Sequence, residues 1–206
     1  MRRCVIAGGA EITQYQKICE LLRQDDFIVC CDSGLNHMES LGLVPDLIIG
    51  DFDSHVNPMS ETETIVLPVE KDDTDTVYAA KECMRRGFED FLLIGAIGNR
   101  LDHTLGNVAL LLMLHHNGKK AVIADDYSEM QIVSDRPVLI EDRYAYFSLL
   151  AVSGPAGKVT IEDAKYTLRD AVIPCDYPYG VSNEVLPGKT ARVTVGEGEL
   201  LLIKIW

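Results

Sequence analysis

The sequence predicts an α/β fold: an N-terminal, mostly parallel sheet with helices on both faces, followed by a C-terminal all-β sandwich. Three observations carry this. Up to about residue 126, short apolar runs alternate with segments of helical period, the pattern of a parallel sheet covered on both sides. Each apolar run ends in a polar or glycine-rich cluster. Beyond residue 126 the helical period disappears, and short β-rich runs are separated by turn residues.

In chain order, 3–7 reads as a strand ending at Gly8-Gly9, and 11–23 as an amphipathic helix with apolar residues at Ile12, Tyr15, Ile18, Cys19 and Leu22. A second strand, 27–31, runs into Asp32-Ser33-Gly34. A short helix over 36–41 stops at Gly42. The third strand, 47–49, ends in Gly50 and GDFDS. A fourth, 64–69, ends at Lys71-Asp72-Asp73-Thr74-Asp75. A helix over 76–86 stops at Gly87, a fifth strand covers 91–96, a strongly apolar helix covers 105–116, and a sixth strand covers 121–124. The β-rich runs are 129–133, 138–140, 144–152, 158–161, 191–195 and 200–206. They predict an antiparallel sandwich or barrel of roughly 75–80 residues. Residues 1–126 are expected to form the α/β domain and 127–206 the β domain.

Composition narrows the function. The 206 residues are 47% hydrophobic and 25% charged, ordinary values for a globular chain with a core. No apolar run reaches the length of a membrane span. The six cysteines show no C-x-x-C pair and no zinc spacing, and read as reduced core residues of a cytoplasmic protein. A net charge of −13 argues against a nucleic-acid partner. It also sets a problem for an anionic substrate, which a divalent metal between carboxylates and phosphates would solve.

Three clusters carry candidate chemistry. In LIIGDFDS (47–54), Asp51 and Asp53 alternate past a strand end and would face one spot if the chain stays extended. Two such carboxylates repel unless a cation lies between them, and Mg²⁺ suits oxygen ligands. Alone, the motif reads more readily as an acidic turn, with Asp53 or Ser54 capping a following helix; the two acidic clusters that follow strengthen the metal reading. In KDDTD (71–75), Asp73 or Thr74 is expected to cap the next helix, which leaves Asp72 or Asp75 for metal or a substrate cation and Lys71 for phosphate. In GAIGNRLDHTLGN (95–107), Gly95 and Gly98 let backbone N–H groups approach phosphate before a helix N-terminus. Arg100 offers a planar fork for phosphoryl charge, and Asp102 a proton acceptor or an orienting group; His103 reads as an ordinary hydrogen-bonding residue. Gly8-Gly9 lacks the dinucleotide spacing, and no P-loop or G-x-S-x-G occurs. In the β region, 179–184 reads by itself as a polar turn.

Taken together, CDSGLN (31–36), PDLIIGDFDS (45–54), DDTD (72–75), GNRLDHTLGN (98–107) and VSNE (181–184), with the terminal GELLLIKIW, strongly resemble thiamine pyrophosphokinases over nearly the whole chain. Ser33 and Leu35 stand where Gly and Ala are commoner in that family. The resemblance implies that residues 1–126 form an α/β nucleotide-binding catalytic domain and 127–206 a β-sandwich for thiamine binding and dimerisation, in a homodimer. It implies Mg²⁺-dependent transfer of a pyrophosphoryl group from ATP to the hydroxyl of thiamine, giving thiamine diphosphate and AMP, with thiamine held between subunits. Asp51, Asp53 and Asp75 would serve the metal, and Arg100 and Asp102 the reacting centre. Gly8, Gly9, Asp32, Gly50, Lys71, Asp72, Gly98, Asn99 and Arg100 would serve ATP. Asp32, Asp75, Asp102, Ser182 and Asn183 would serve thiamine. The rivals are a Mg²⁺-dependent phosphoesterase using D-x-D as an aspartyl site, and a nucleotide sensor without turnover.

Overall fold

The computed structural model describes residues 2–52 and 61–206. The chain divides into two compact units, residues 1–126 and 127–206.

In the first unit, six strands form a parallel array: β1 (Cys4–Ala7), β2 (Phe27–Cys31), β3 (Leu47–Gly50), β4 (Glu63–Val66), β5 (Asp90–Ile94) and β6 (Lys120–Ala124). Their spatial order is β6-β5-β1-β2-β3-β4. Strands β1 to β4 step outward on one side of β1, and β5 and β6 lie on the other. The order therefore reverses between β1 and β5, the place where ligands bind in such sheets.

Alternate residues of the central strands face opposite layers, so both faces must be covered. Val5, Ala7, Leu92 and Ile94 pack with Ile18 of α1 (Tyr15–Leu21) and with Met38 and Leu41 of α2 (Met38–Leu41). On the opposite face, the buried thiol of Cys4 neighbours that of Cys83 in α3 (Asp75–Arg85). Beside α3 lies α4 (Leu101–His116). Helix α3 starts where the sequence placed a cap, with Thr74 Oγ1 accepting from Val77 N.

The second unit has eight strands: β7 (Ser128–Val133), β8 (Val138–Glu141), β9 (Tyr146–Leu150), β10 (Ala156–Glu162), β11 (Leu168–Ile173), β12 (Gly180–Asn183), β13 (Thr190–Thr194) and β14 (Leu200–Ile205). They form two antiparallel layers, β12-β9-β14-β7 and β11-β10-β13-β8. Phe147, Leu149, Leu200 and Leu202 from one layer meet Ile140, Val159, Ile161 and Val193 from the other in a single core. This is the expected sandwich.

Several local expectations are corrected. Residues 179–184 are not a plain turn: β12 pairs with β9, with a register irregularity between Gly180 and Asn183. A short edge strand that begins with glycine and slips register shows no alternation to read. Strand β11 was not expected for a similar reason, since its pairing with β10 shifts register twice. The predicted helix over 36–41 is a 3₁₀ turn, Asp32–His37, leading into the four-residue α2. Helix α4 starts at Leu101 rather than 105, α1 covers less than 11–23, and β4 ends at Val66. Of the six cysteines, Cys4, Cys30, Cys31 and Cys83 are buried thiols, but Cys19 and Cys175 are exposed. No helix among the described residues is long and apolar enough to cross a membrane.

The turn after β2 is built on Gly34, where a Cβ would stand 2.1 Å from the Ala7 carbonyl oxygen. Gly34→Ala is expected to destabilise the protein by about 1–3 kcal/mol through overpacking. Gly106, exposed within α4 with nothing near its Cβ position, is the contrast: Gly106→Ala should stabilise by about 0.5–1 kcal/mol. Urea unfolding of both variants checks the pair. Equal midpoints would mean that the close approach at Gly34 is relieved at no cost.

Candidate functional site

At the carboxyl ends of β1, β2 and β5, the loops enclose a cleft of about 480 Å³. Gly8, Gly9, Ala10 and Glu11 come from the loop after β1, and Cys31, Asp32 and Ser33 from the end of β2. Thr74, Asp75 and Thr76 come from the start of α3, and Gly95, Ala96, Gly98, Asn99 and Arg100 with His103, Thr104 and Asn107 from the loop after β5 and the start of α4. Two helix N-termini thus open on one cavity, a setting that favours phosphate.

The loops fit because they lack side chains at their seam. A Cβ on Gly8 would lie 2.5 Å from Gly95 O, and one on Gly95 2.3 Å from Gly8 O. Gly95 also takes φ +57°, a left-handed conformation suited to glycine. Ser33, where Gly is commoner in the resembled family, is accommodated because residue 9 has no Cβ: such an atom would be 1.9 Å from Ser33 Oγ. Thr104 Oγ1 accepts from Gly98 N at 3.2 Å, and Asn107 Nδ2 donates to Ala96 O at 2.7 Å. The loop is therefore tied to its own helix.

Beside the cleft lies an acidic group held by one lysine. Lys71 Nζ is 3.0 Å from Asp51 Oδ2 and 2.7 Å from Asp75 Oδ1. All three side chains are at least three-quarters buried. Burial lowers the pKa of the Lys71 ammonium, but Asp75 and Asp51 outweigh it and hold the lysine above its usual range. Sequence reasoning placed Lys71 near phosphate; its role as the cation between two acids is visible only in the fold.

Asp32 Oδ1 and Asp75 Oδ1 are both buried with no hydrogen-bond partner among the described residues; Asp75 has the Lys71 ammonium as its counter-ion, while Asp32 takes a left-handed backbone at φ +43°. Gly50 packs directly beneath it, a Cβ there lying 3.3 Å from Asp32 Cα. An orphaned carboxylate oxygen of this kind fits a hard cation. Among the described residues, no three His, Cys, Asp or Glu side chains form a complete metal-binding group. The acids can supply only part of a coordination shell.

The extended chain expected through 51–53 is not found: Phe52 has φ +53°. Asp53 and Ser54 lie outside the described residues. Asp72 is exposed and outside the cleft lining, while Asp73 pairs with Lys81 at 2.7 Å. Gly8, Gly9, Asp32, Asp75, Gly98, Asn99 and Arg100 share the cleft; Gly50, Asp51 and Lys71 stand beside it.

At the cleft's lip Arg100 reaches Asp102 with Nε at 3.0 Å and Nη2 at 2.7 Å, a two-bond pair in full solvent. The Arg100 guanidinium draws the Asp102 carboxyl down to about 2, and Asp102 in turn raises Arg100.

In the β unit, Ser182 is exposed at φ +59°, with its N–H donating to Ser148 Oγ at 3.1 Å. Asn183 is buried. Its amide is spent on the backbone of Tyr166, accepting from N at 3.0 Å and donating to O at 2.7 Å.

Comparison with known proteins follows the same two-part division. Residues 18–123 match the family described as thiamin pyrophosphokinase, catalytic domain, and residues 132–200 the thiamin pyrophosphokinase, vitamin B1 binding domain. The chain is 25% identical over 181 residues to the thiamine pyrophosphokinase of Bacillus subtilis, covering 84% of each. A crystal structure of thiamine pyrophosphokinase from the same organism superposes with a TM-score of 0.88 at 22% identity, covering 99% of both chains. One from Geobacillus thermodenitrificans gives 0.84 at 25% identity, covering 100% of this chain and 98% of that one.

The ion pair at the lip is directly testable. In Arg100→Gln, the Asp102 carboxyl should return from about 2 toward the ordinary range of about 3.9. A ¹³C NMR pH titration reads it. A carboxyl already titrating in the ordinary range before substitution would mean that the pair does not form in solution.

Proposed function

The chain belongs to the thiamine pyrophosphokinase family and carries out thiamine pyrophosphorylation; we propose how its residues divide that work. The observation that carries the proposal is the convergence of three strand ends and two helix N-termini on one cleft at the reversal of strand order.

The ATP triphosphate lies along the 95–99 loop and the N-terminus of α4, with Gly8 and Gly9 opposite. The closeness of Gly8 and Gly95 lets backbone, rather than side chains, meet the phosphates. Asp51 and Asp75, which share the Lys71 ammonium, are the described residues that would hold a divalent cation, proposed as Mg²⁺, and the orphaned Asp32 oxygen on the cleft wall supports this. Phosphate oxygens and water would complete its shell. Asp53 keeps its metal assignment by motif alone. The cation supplies charge neutralisation of the triphosphate.

The thiamine hydroxyl oxygen attacks the β-phosphorus. A new O–P bond forms, the bridge between the α and β phosphorus atoms breaks, and AMP leaves with the bridging oxygen; the hydroxyl proton passes to solvent. The work is positioning and charge stabilisation. Arg100, exposed on the lip, meets charge growing on the bridging oxygen. A carboxylate titrating at about 2 is a weak base, so Asp102 is assigned to orienting the hydroxyl and Arg100 rather than to taking the proton. Lys71, which pairs with Asp51 and Asp75, would turn to phosphate if a cation took its place on the acids.

The β unit is assigned to thiamine and to subunit pairing. Ser182, strained and exposed, is the contact; buried Asn183 acts by placing Tyr166. A homodimer with thiamine at the subunit interface, and a cytoplasmic location in keeping with six free thiols, complete the reading.

³¹P NMR with ATP, Mg²⁺ and thiamine should show thiamine-dependent AMP and a diphosphate ester. ADP with a monophosphate ester would place attack on the γ-phosphorus and overturn the mechanism. Asp51→Asn should lose at least about a hundredfold in kcat with an unchanged circular dichroism spectrum; near-normal turnover would remove Asp51 from the metal site.

A further inference from the structure

Among the buried titratable side chains of the α/β unit that the transfer reaction does not use, His37 and Asp126 stand at the loop that lines the cleft. His37 is 5% exposed and Asp126 8%. Both reach the same short segment, the loop from the end of β1 to the start of α1.

His37 Nε2 lies 2.9 Å from Ala10 O. A carbonyl can only accept, so Nε2 carries the proton. His37 Nδ1 lies 2.9 Å from Tyr15 OH and accepts from it. Both ring nitrogens are thus used by one neutral tautomer. Burial pushes the imidazole pKa down, against the opposing pull of the Ala10 and Gly8 carbonyls and Asp126. Asp126 grips the far end of the loop. Its Oδ2 accepts from Thr13 N at 2.7 Å and from Thr13 Oγ1, and its Oδ1 accepts from Gln14 N at 3.1 Å.

Between these anchors sits Ala10. Its N–H donates to Gly95 O at 2.9 Å, and its carbonyl receives His37. Ala10 lines the cleft, and its Cβ presses on Gly98, where an added Cβ would be 2.8 Å away. Both backbone groups of Ala10 are therefore fixed, one by the β5 loop and one by the imidazole. Gly8 and Ala10 spend their N–H groups on Ile94 and Gly95, while Gly9 and Glu11, alternating with them, are exposed on the cleft.

We propose that His37 is a positioning residue of the nucleotide site: by donating Nε2–H to the Ala10 carbonyl it holds the 8–11 loop against the 95–98 loop in the shape that receives phosphate. The inference rests on the reading that the triphosphate enters this cleft. His37 touches neither phosphate nor thiamine in this account, and acts through Ala10 alone.

The test uses the full chain, with α,β-methylene-ATP as the nucleotide probe. Glutamine places an amide N–H where Nε2 stands, and leucine does not. His37→Leu should bind the probe about tenfold more weakly, the value of one hydrogen bond of ordinary strength. KM for ATP should rise by a similar factor, while kcat and KM for thiamine stay within about threefold. His37→Gln should remain within about threefold of wild type throughout. In wild type, ¹⁵N shifts of the His37 ring should report the Nε2–H tautomer, a readout that needs no variant to fold. A probe affinity unchanged in His37→Leu, a glutamine variant as weak as the leucine one, or an Nδ1–H tautomer would each overturn the proposal. The amide signals of Gly9 and Gly98 separate this from the underlying reading. If the probe leaves them unmoved in wild type, the cleft assignment itself falls; if they move and His37→Leu binds normally, only the role of His37 falls.

Discussion

The structure depends on how closely two backbones meet at the reversal of strand order. Gly8 donates to Ile94 O at 2.8 Å and Ala10 to Gly95 O at 2.9 Å, so the loop leaving β1 continues along the loop leaving β5. A methyl group on either Gly8 or Gly95 would collide with the opposite carbonyl. Parallel strands diverging from such a seam leave a crevice above it. Here the crevice is floored by backbone and walled by the first turns of α3 and α4. The acids gather around it because they follow neighbouring strand ends, and the sheet brings those ends together across long separations in sequence.

Electrostatics explains how a chain of net charge −13 can take a polyphosphate. The acids nearest the cleft are held by two kinds of cation. Lys71 sits between Asp51 and Asp75 with little exposure, where weak screening makes the pairing strong and its loss costly. Arg100 and Asp102 pair in full solvent, where an ion pair adds little to stability. The first arrangement suits a structural clamp that a stronger cation can replace. The second suits groups that must exchange one partner for another as substrate arrives, since opening an exposed pair costs little.

Much of this was legible in sequence, for identifiable reasons. Buried parallel strands such as LIIG and CVIA are continuous apolar runs, and polar residues after them fall at one edge of the sheet by topology alone. The illegible parts share a cause. Helix α4 begins four residues before its apolar period because Leu101 and Leu105 are exposed, so its first turn looks like loop. Strands β11 and β12 carry register slips, which erase alternation. Partnerships were hidden more deeply than elements. Nothing in the sequence joins Asp126 to Thr13 across 113 residues, or shows that Lys71 would bridge acids rather than wait for phosphate. His37, the last residue of the 3₁₀ turn after β2, stood just past a motif that ended at residue 36.

Backbone strain has to be weighed with the same care. Among the described residues, six non-glycine residues adopt positive φ: Asp32, Phe52, Lys158, Asp163, Asp170 and Ser182. Three of them belong to the stretch around the irregular pairing of β10 and β11, where bulges account for the conformation. Strain alone therefore does not mark a site. Asp32 is separated from these by a second fact, a buried carboxylate oxygen with no partner. Glycine at this position would relieve the left-handed backbone at no steric cost, and it would remove the orphaned oxygen too. A residue that is unfavourable on both counts is kept only if the carboxylate has a partner during function. A hard cation is the partner that fits such an oxygen, and the divalent cation proposed for the cleft would account for the strain at Asp32 as well.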